Sequence, residues 1–378
     1  MKILHVVPYF APAWAYGGPP KAVLEIAKNQ VRAGHKVFIL TTTAFEKNQT
    51  LPAGLEAIEG ITVTRLPNLS NWLMWHFHFC TPIGAQSYLR QNQFDVIHLH
   101  EVRTLLNLFT LLFGKTKKYF LSPWGTLPFN NSQSLIKKLF DLPLIPLLKK
   151  KIATSFAQTE HEALVLETFL SQKQTKIIPL GIDFTEFKKL PSKLQAREKL
   201  NLDPSAFYFL FLGRFSPHKG LKNLITAFAQ LEKQNLHARL LLVGRDDGYL
   251  NTIHQLIETN SLQDSVTINT PLYGQDRLLA YCAADTFVFT PTVYEETGTV
   301  CLEALACNLP VITSEQAAIP FMRKEDGVIT IHNTALAIVS AIKQLAGNIP
   351  PVNNKKIQSI FDWSAVSRQM IDSYQEKA

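Results

Sequence analysis

In the stretch TPTVYEETGTVCLEALACNLPVIT, residues 290–313, two glutamates stand with seven residues between them and Gly298 in the gap. From Val300 the apolar residues Leu302, Leu305 and Ala306 follow helical spacing, and the pattern stops before the strand-like Val311-Ile312. Asn308 falls where a helix needs a left-handed cap, a conformation Asn tolerates better than most residues. A helix therefore starts near Gly298, with free backbone N–H groups able to hold an anion. Glu295 lies in the loop before it and Glu303 roughly one turn inside. That arrangement suits a diphosphate between two carboxylates that accept sugar hydroxyls. Glu is also a good helix former and is commonly solvated. Glu303, however, is hemmed by Cys301, Leu302, Ala304, Leu305 and Ala306, where a carboxylate needs a partner or a ligand. Upstream, the apolar strand Tyr208 to Leu212 runs into Gly213-Arg214-Phe215-Ser216-Pro217-His218-Lys219-Gly220. Arg214 and Lys219 suit a diphosphate, the Arg as a bidentate fork and the Lys as a compact charge. A structural ion pair is the competing explanation.

These residues resemble the donor-binding signature of glycosyltransferase family 4, written E-x7-E, with Glu295 and Glu303 at its ends. Related enzymes often read Glu-Gly-Phe-Gly where this chain reads Glu295-Glu296-Thr297-Gly298. The resemblance extends as an ordered series through Gly17-Gly18, HLHE at 98–101, PLGID at 179–183 and GRFSPHKG at 213–220. It implies an α/β GT-B fold of two Rossmann-like, doubly wound domains facing across a cleft. Residues 1–180 would form the acceptor-side domain, with a C-terminal helix at 362–378 packing back on it, and residues 181–361 the nucleotide-sugar domain. By resemblance the donor contacts are Gly17, Gly18, Arg214, Lys219, Gly244, Tyr273, Glu295, Thr297, Gly298, Thr299, Val300 and Glu303. The same resemblance gives Glu303 the ribose hydroxyls and Glu295 the donor sugar. The catalytic group is then Glu295, Arg214, Lys219 and His100. It implies retention of anomeric configuration, a UDP-hexose donor with UDP-glucose first, and a glycan or lipid-linked acceptor of a bacterial surface polysaccharide. Family members often carry His where Trp124 stands, so the sugar contact there is either lost or replaced by a ring face. A nucleotide-sugar 2-epimerase and a non-catalytic sugar-nucleotide-binding protein remain the alternatives. No Asp-x-Asp occurs to bind a metal, and a basic pair can stabilise a leaving diphosphate without one, so neither metal nor cofactor is expected.

The elements that must position these groups follow from the rest of the chain. Ile3 to Val7 is a strand, Gly17 to Pro20 a turn into a helix ending near Ala33, and Lys36 to Thr42 the next strand, a βαβ unit without G-x-G-x-x-G. Phe94 to His100 reads as a buried parallel strand that puts His98 and His100 on one face. Such a pair is usually structural, and no third metal ligand stands nearby in sequence. His100 gains interest from its place at a strand's carboxyl end, where ligands gather in open α/β sheets.

With 378 residues, 46% apolar and 18% charged, the chain can build two cores. Cys80, Cys282, Cys301 and Cys307 lack metal spacing and read as thiols of a reducing compartment. No apolar run approaches the ~18 residues of a membrane span, and MKILHVVPYF fits a first strand better than a signal peptide. Residues 1–180 hold 19 Lys+Arg against 10 Asp+Glu, and residues 181–378 hold 19 against 20, so the basic surplus lies in the first half. In LIKKLFDLPLIPLLKKK, residues 135–151, two prolines should prevent one long helix. Its lysines, including Lys137 and Lys138, are either a solvated face or a patch for an anionic membrane. A cytoplasmic protein, peripheral at the inner face of the cell membrane, is the expectation, with no nucleic-acid partner.

Overall fold

A computed structural model describes residues 1–127, 135–170, 174–234, 238–295, 298–347 and 350–376. The chain divides into two compact units, Met1–Gly181 with Trp363–Ala378, and Ile182–Asp362. Thr297, one of the residues expected at the donor, lies outside the described residues, as does Glu296.

The first unit is built on eight strands: β1 (Lys2–Val6), β2 (Lys36–Thr42), β3 (Gly54–Ile58), β4 (Ile61–Leu66), β5 (Val96–His100), β6 (Lys118–Ser122), β7 (Ile152–Ala157) and β8 (Thr175–Ile177). Their order is β8-β7-β6-β5-β1-β2-β4-β3, parallel except where β3 runs against β4. The strands are near-continuous apolar runs because a parallel sheet is covered on both faces. Helix α1 (Gly18–Arg32) covers one face with Ala22, Val23, Ile26 and Ala27. The C-terminal helix, Trp363–Gln375, packs Trp363, Val366, Met370 and Tyr374 on the same layer as Ile3, Ile26, Val96 and Phe120.

The second unit has six parallel strands: β9 (Tyr208–Leu212), β10 (Arg239–Val243), β11 (Val266–Asn269), β12 (Thr286–Phe289), β13 (Val311–Ser314) and β14 (Val328–Ile331), ordered β11-β10-β9-β12-β13-β14. In both sheets the chain builds one side outward from the first strand and then returns to build the other. The order therefore reverses between β1 and β5 in one sheet and between β9 and β12 in the other. Loops leaving the carboxyl ends of such a pair diverge and leave a crevice, the usual ligand position in open α/β sheets.

Residues Leu135–Lys151 form one helix despite Pro143 and Pro146, against the expectation of a break. Each proline frees the carbonyl four residues earlier, at Leu139 and Leu142. Those residues are 59% and 70% exposed, so water can take the freed groups. The four cysteines are free thiols.

Three fully buried histidines lie at the centre of the first sheet. Neighbouring strands bring His5 from β1 to His98 and His100 of β5, supplying the third histidine that is distant in sequence. Their ligand atoms lie within 4.8 Å of one another, the spacing of a metal triad. Hydrogen bonds occupy them instead. The Trp124 indole donates to His100 Nδ1 (3.0 Å), which leaves His100 Nε2 to donate to His5 Nδ1 (2.9 Å) and His5 Nε2 to donate to Gln30 Oε1 (2.7 Å). His98 joins the Tyr374 hydroxyl at 2.7 Å and the Ser122 hydroxyl at 2.8 Å. An indole that can only donate fixes the His5–His100 chain in neutral tautomers.

Burial lowers the His5 pKa to about 4 and holds those of His98 and His100 well below the usual imidazole value of 6.5. Between about pH 4.5 and 6.5 the unfolded imidazoles take up protons that the folded ones refuse, so the unfolded state binds more protons and stability is lost as pH falls. Glu101 opposes this: burial pushes its carboxyl up to about 7, so in the same window the folded state holds a proton that the unfolded carboxyl releases. The lowered imidazoles outnumber the one raised carboxyl, so the net result is a loss of stability as pH falls through this window. Urea unfolding at pH 5 and pH 6.5 should show that loss, and equal stabilities would contradict it.

Candidate active site

Every strand-end loop of the second unit that bears an expected residue lies on or beside the β9/β12 crevice. Arg214 and Lys219 follow β9, Gly244 follows β10, Tyr273 follows β11, and Glu295 follows β12. Lys219 forms an ion pair with Glu295, and its ammonium sits 5.2 Å from the centre of the Phe289 ring. Both are partly buried, with side chains 14% and 24% exposed, so the pair is shielded from water without being sealed. The Glu295 N–H donates to the Gln316 carbonyl (2.8 Å), which anchors the loop behind the carboxylate.

Two close approaches set this geometry. Gly220 has φ of +75°, and a Cβ there would overlap the Thr290 carbonyl oxygen. Asn333 Nδ2 then ties the same Thr290 carbonyl (2.7 Å) and that of Pro291 (2.8 Å). At Gly244 a Cβ would overlap the Gly213 carbonyl oxygen, so the β9 and β10 loops also run backbone to backbone. Beside them a cavity of about 250 Å³ opens between Arg214, Arg245, Leu272 and Tyr273. Arg214 is 56% exposed and bonds Asp247 at 2.6 Å, so it is an ion pair at the cavity's mouth rather than a free cation.

The helix Thr299–Ala306 starts at Gly298, which is its N-cap, and Asn308 after it has φ of +60°, the left-handed position its residue type favours. The N–H of Cys301 is taken by the Gly298 carbonyl (2.8 Å). The N–H groups of Thr299 and Val300 open the helix, where backbone donors have no intrahelical partner. Glu303, in the second turn, has found partners for its carboxylate. Arg277 Nε donates to Oε2 at 3.0 Å, and the Tyr281 hydroxyl donates to the same oxygen at 3.0 Å. Arg277 also bonds Glu186 and the Gly274 carbonyl. Arg277, Tyr281, Glu186 and Asp247 were missed in sequence. The four-residue step from Arg277 to Tyr281 on one helix face was the available signal, but nothing local ties that face to Glu303.

The first unit treats its expected residues differently. Gly17 and Gly18 open α1, with no atom within 4 Å of where a side chain would start. His100 is fully buried, and its ring is covered by Trp124, stacked at 5.8 Å and 17° between planes. With both nitrogens bonded and no exposed edge, His100 is placed to orient Trp124, not to touch a ligand as expected. Trp124 (φ of +53°) and Gly125 (φ of +72°) turn sharply, and buried Glu162 holds the turn by accepting from Gly125 N–H at 2.7 Å. The indole N–H is spent on His100, so a ring face is what Trp124 has left to offer.

Two family models match the chain: "Glycosyltransferase Family 4" over residues 16–186 and "Glycosyl transferases group 1" over residues 192–351. Among curated proteins, an alpha-monoglucosyldiacylglycerol synthase of Streptococcus pneumoniae is 24% identical over 295 residues, 74% of this chain and 64% of that protein. A D-inositol 3-phosphate glycosyltransferase of Segniliparus rotundus is 32% identical over 169 residues, 43% of this chain and 37% of that protein. The chain thus spans less than two thirds of the length of these curated relatives. Among solved structures, Anabaena HepE in complex with UDP superposes with a TM-score of 0.74 at 18% identity, covering 99% of each chain. The fold is GT-B.

The contact at Gly220 yields a graded prediction. Gly220→Ala should destabilise by more than ~1 kcal/mol, because it combines a strained φ with overlap on a backbone oxygen. Gly18→Ala, in open space, should stay within ~0.5 kcal/mol. Urea midpoints of the two variants check the order.

Proposed function

This chain belongs to glycosyltransferase family 4 and is a glycosyltransferase, and from that premise we propose that it moves a hexose from a UDP-sugar to a glycan or lipid-linked acceptor with retention of configuration. The observation that carries this reading is the Lys219–Glu295 pair beside the start of the Thr299–Ala306 helix, with Glu303 one turn further in. Departure of a nucleoside diphosphate places charge on its terminal phosphate. Lys219 and the N–H groups of Thr299 and Val300 would meet that charge in a partly dry site, and Arg214 would add a second cation from the cavity mouth. Glu295, released from Lys219 as the ammonium turns to phosphate, would accept hydroxyls of the donor sugar. Glu303 would hold the ribose while Arg277 and Tyr281 fix the carboxylate's orientation. The cavity between Arg214 and Tyr273 is the place for the base. No metal is assigned a step, because cations and backbone dipoles already cover the leaving charge.

The donor reading draws support from HepE, whose structures are in complex with UDP and with UDP-glucose. A lipid-linked acceptor is favoured by the streptococcal relative, whose name joins a glucosyl group to diacylglycerol. Among the described residues no helix is long and apolar enough to cross a membrane. Membrane contact would then be peripheral, through Lys149, Lys150 and the exposed Leu139 and Leu142 of the Leu135–Lys151 helix. Lys151 is excluded from that patch, since its ammonium turns inward to the Leu111 carbonyl. The side chains of Lys137 and Lys138 lie outside the described residues.

Acceptor-dependent release of UDP from UDP-glucose tests the reaction. Interconversion of the sugar without acceptor would mean an epimerase, and binding alone a non-catalytic protein. By calorimetry, Glu303→Ala should weaken UDP binding by ~1.5–3 kcal/mol, the worth of hydrogen bonds to a charged acceptor. Glu295→Ala should leave UDP affinity nearly unchanged and depress turnover, and equal losses in both variants would refute this division of labour. Activity should survive EDTA. Replacing Lys149 and Lys150 by Gln should reduce binding to anionic vesicles at low salt and spare UDP affinity.

A further inference from the structure

The β1/β5 crevice of the first unit holds a second cluster, built around Glu101, the last residue of the HLHE motif. Glu101 is 6% exposed and adopts φ of +61°, a left-handed conformation uncommon for a bulky residue and concentrated at functional sites. Its N–H donates to Ser122 (2.9 Å), and Asn107 Nδ2 donates to its carbonyl (3.1 Å), so the backbone is held in that shape. Tyr9, from the loop after β1, donates its hydroxyl to Glu101 Oε1. Among the described residues no donor meets Oε2. The Tyr9 ring stacks on Tyr16 at 4.3 Å and 10°, and Trp75 and His78 stand edge-on to Tyr16 at 5.6 and 5.8 Å.

Tyr16 supplies the independent observation. It is 9% exposed, and its hydroxyl is buried without a hydrogen-bond partner. A core would fill that place with Phe, because a buried hydroxyl left unpaired is unfavourable. Open space begins immediately after it, at Gly17 and Gly18. The cluster therefore offers one open carboxylate oxygen and one hydroxyl able to donate or accept, among aromatic edges. Arg65, which reaches the same loop at the Ala11 carbonyl, is paired with Glu56.

We propose that Tyr9, Glu101 and Tyr16 bind hydroxyl groups of the acceptor, and that the acceptor presents a neutral sugar there rather than a phosphate or other anion. A carboxylate oxygen accepts from a sugar hydroxyl, the Tyr16 hydroxyl completes the pair, and the ring edges flank the sugar's C–H surface. Above about pH 7, where the buried Glu101 carboxyl ionises, an anion would meet like charge there. The inference rests on the transferase reading, since it names the acceptor's chemistry.

The test uses the full chain and the methyl glycosides of α-glucose, α-mannose and β-galactose, followed by saturation-transfer NMR with UDP present. At least one glycoside should give a signal that inorganic phosphate does not displace. Glu101→Gln should weaken that binding at least tenfold. Tyr16→Phe removes only the unpaired hydroxyl, so it should leave the melting temperature equal or higher while weakening the glycoside at least threefold. A merely structural Tyr16 would leave glycoside binding unchanged. Silence from all three glycosides, unchanged binding in both variants, or displacement by phosphate overturns the proposal. UDP affinity measured alongside separates the two readings: its absence in the wild-type chain sinks the UDP-sugar donor reading, whereas UDP binding with no glycoside binding sinks only this one.

Discussion

The contact on which the second unit's site depends is the approach of the β9 loop to the β12 loop at Gly220, where a single added carbon would strike the Thr290 carbonyl. Strands adjacent in the sheet but far apart in sequence bring the two loops together. The missing side chain lets them touch, and Asn333 fixes the far side of the contact. Lys219 sits one residue before the contact and Glu295 five residues after Thr290. Their pairing follows from where the backbones are pinned. A lysine on a flexible stem would otherwise lose rotamer entropy with little return, as most exposed pairs do.

A common pattern runs through the charged groups of this unit. Lys219 is paired with Glu295, Arg214 with Asp247, and Arg277 with both Glu186 and Glu303. Partly buried charges without a partner carry a desolvation cost, so the charges of this site satisfy one another. A ligand entering it exchanges these contacts for its own phosphate and hydroxyl groups. Net affinity therefore depends on the difference between two sets of bonds. Arg277 is the least exchangeable member, since three groups, Glu303, Glu186 and the Gly274 carbonyl, define one position for it.

The first unit spends its polar groups in another way. Its three histidines are buried, His5 and His100 bonded nitrogen to nitrogen under Trp124 and His98 bonded to the Tyr374 and Ser122 hydroxyls, so they brace the strand ends from below. Two of the groups left incompletely satisfied, Glu101 and Tyr16, lie at the sheet's reversal point. Where a structure leaves hydrogen-bonding capacity unused is where a ligand has something to gain.

Much was legible in the sequence because it depends on local rules. Strand runs, the helix opening at Gly298, the left-handed Asn308 and the series of motifs are set by residue type and short-range spacing. The break expected at Pro143 and Pro146 failed because exposure of Leu139 and Leu142, a tertiary property, lets water satisfy the freed carbonyls. The role expected of His100 changed because burial under Trp124 cannot be seen from strand alternation. By itself the sequence determined which chemical groups stand at which strand ends. Tertiary structure alone decided which of them meet: Lys219 with Glu295 across 76 positions, Arg277 with Glu303 across 26, Tyr9 with Glu101 across 92. Sheet order makes neighbours of distant strands, and no periodicity within one segment records which strand will lie beside it.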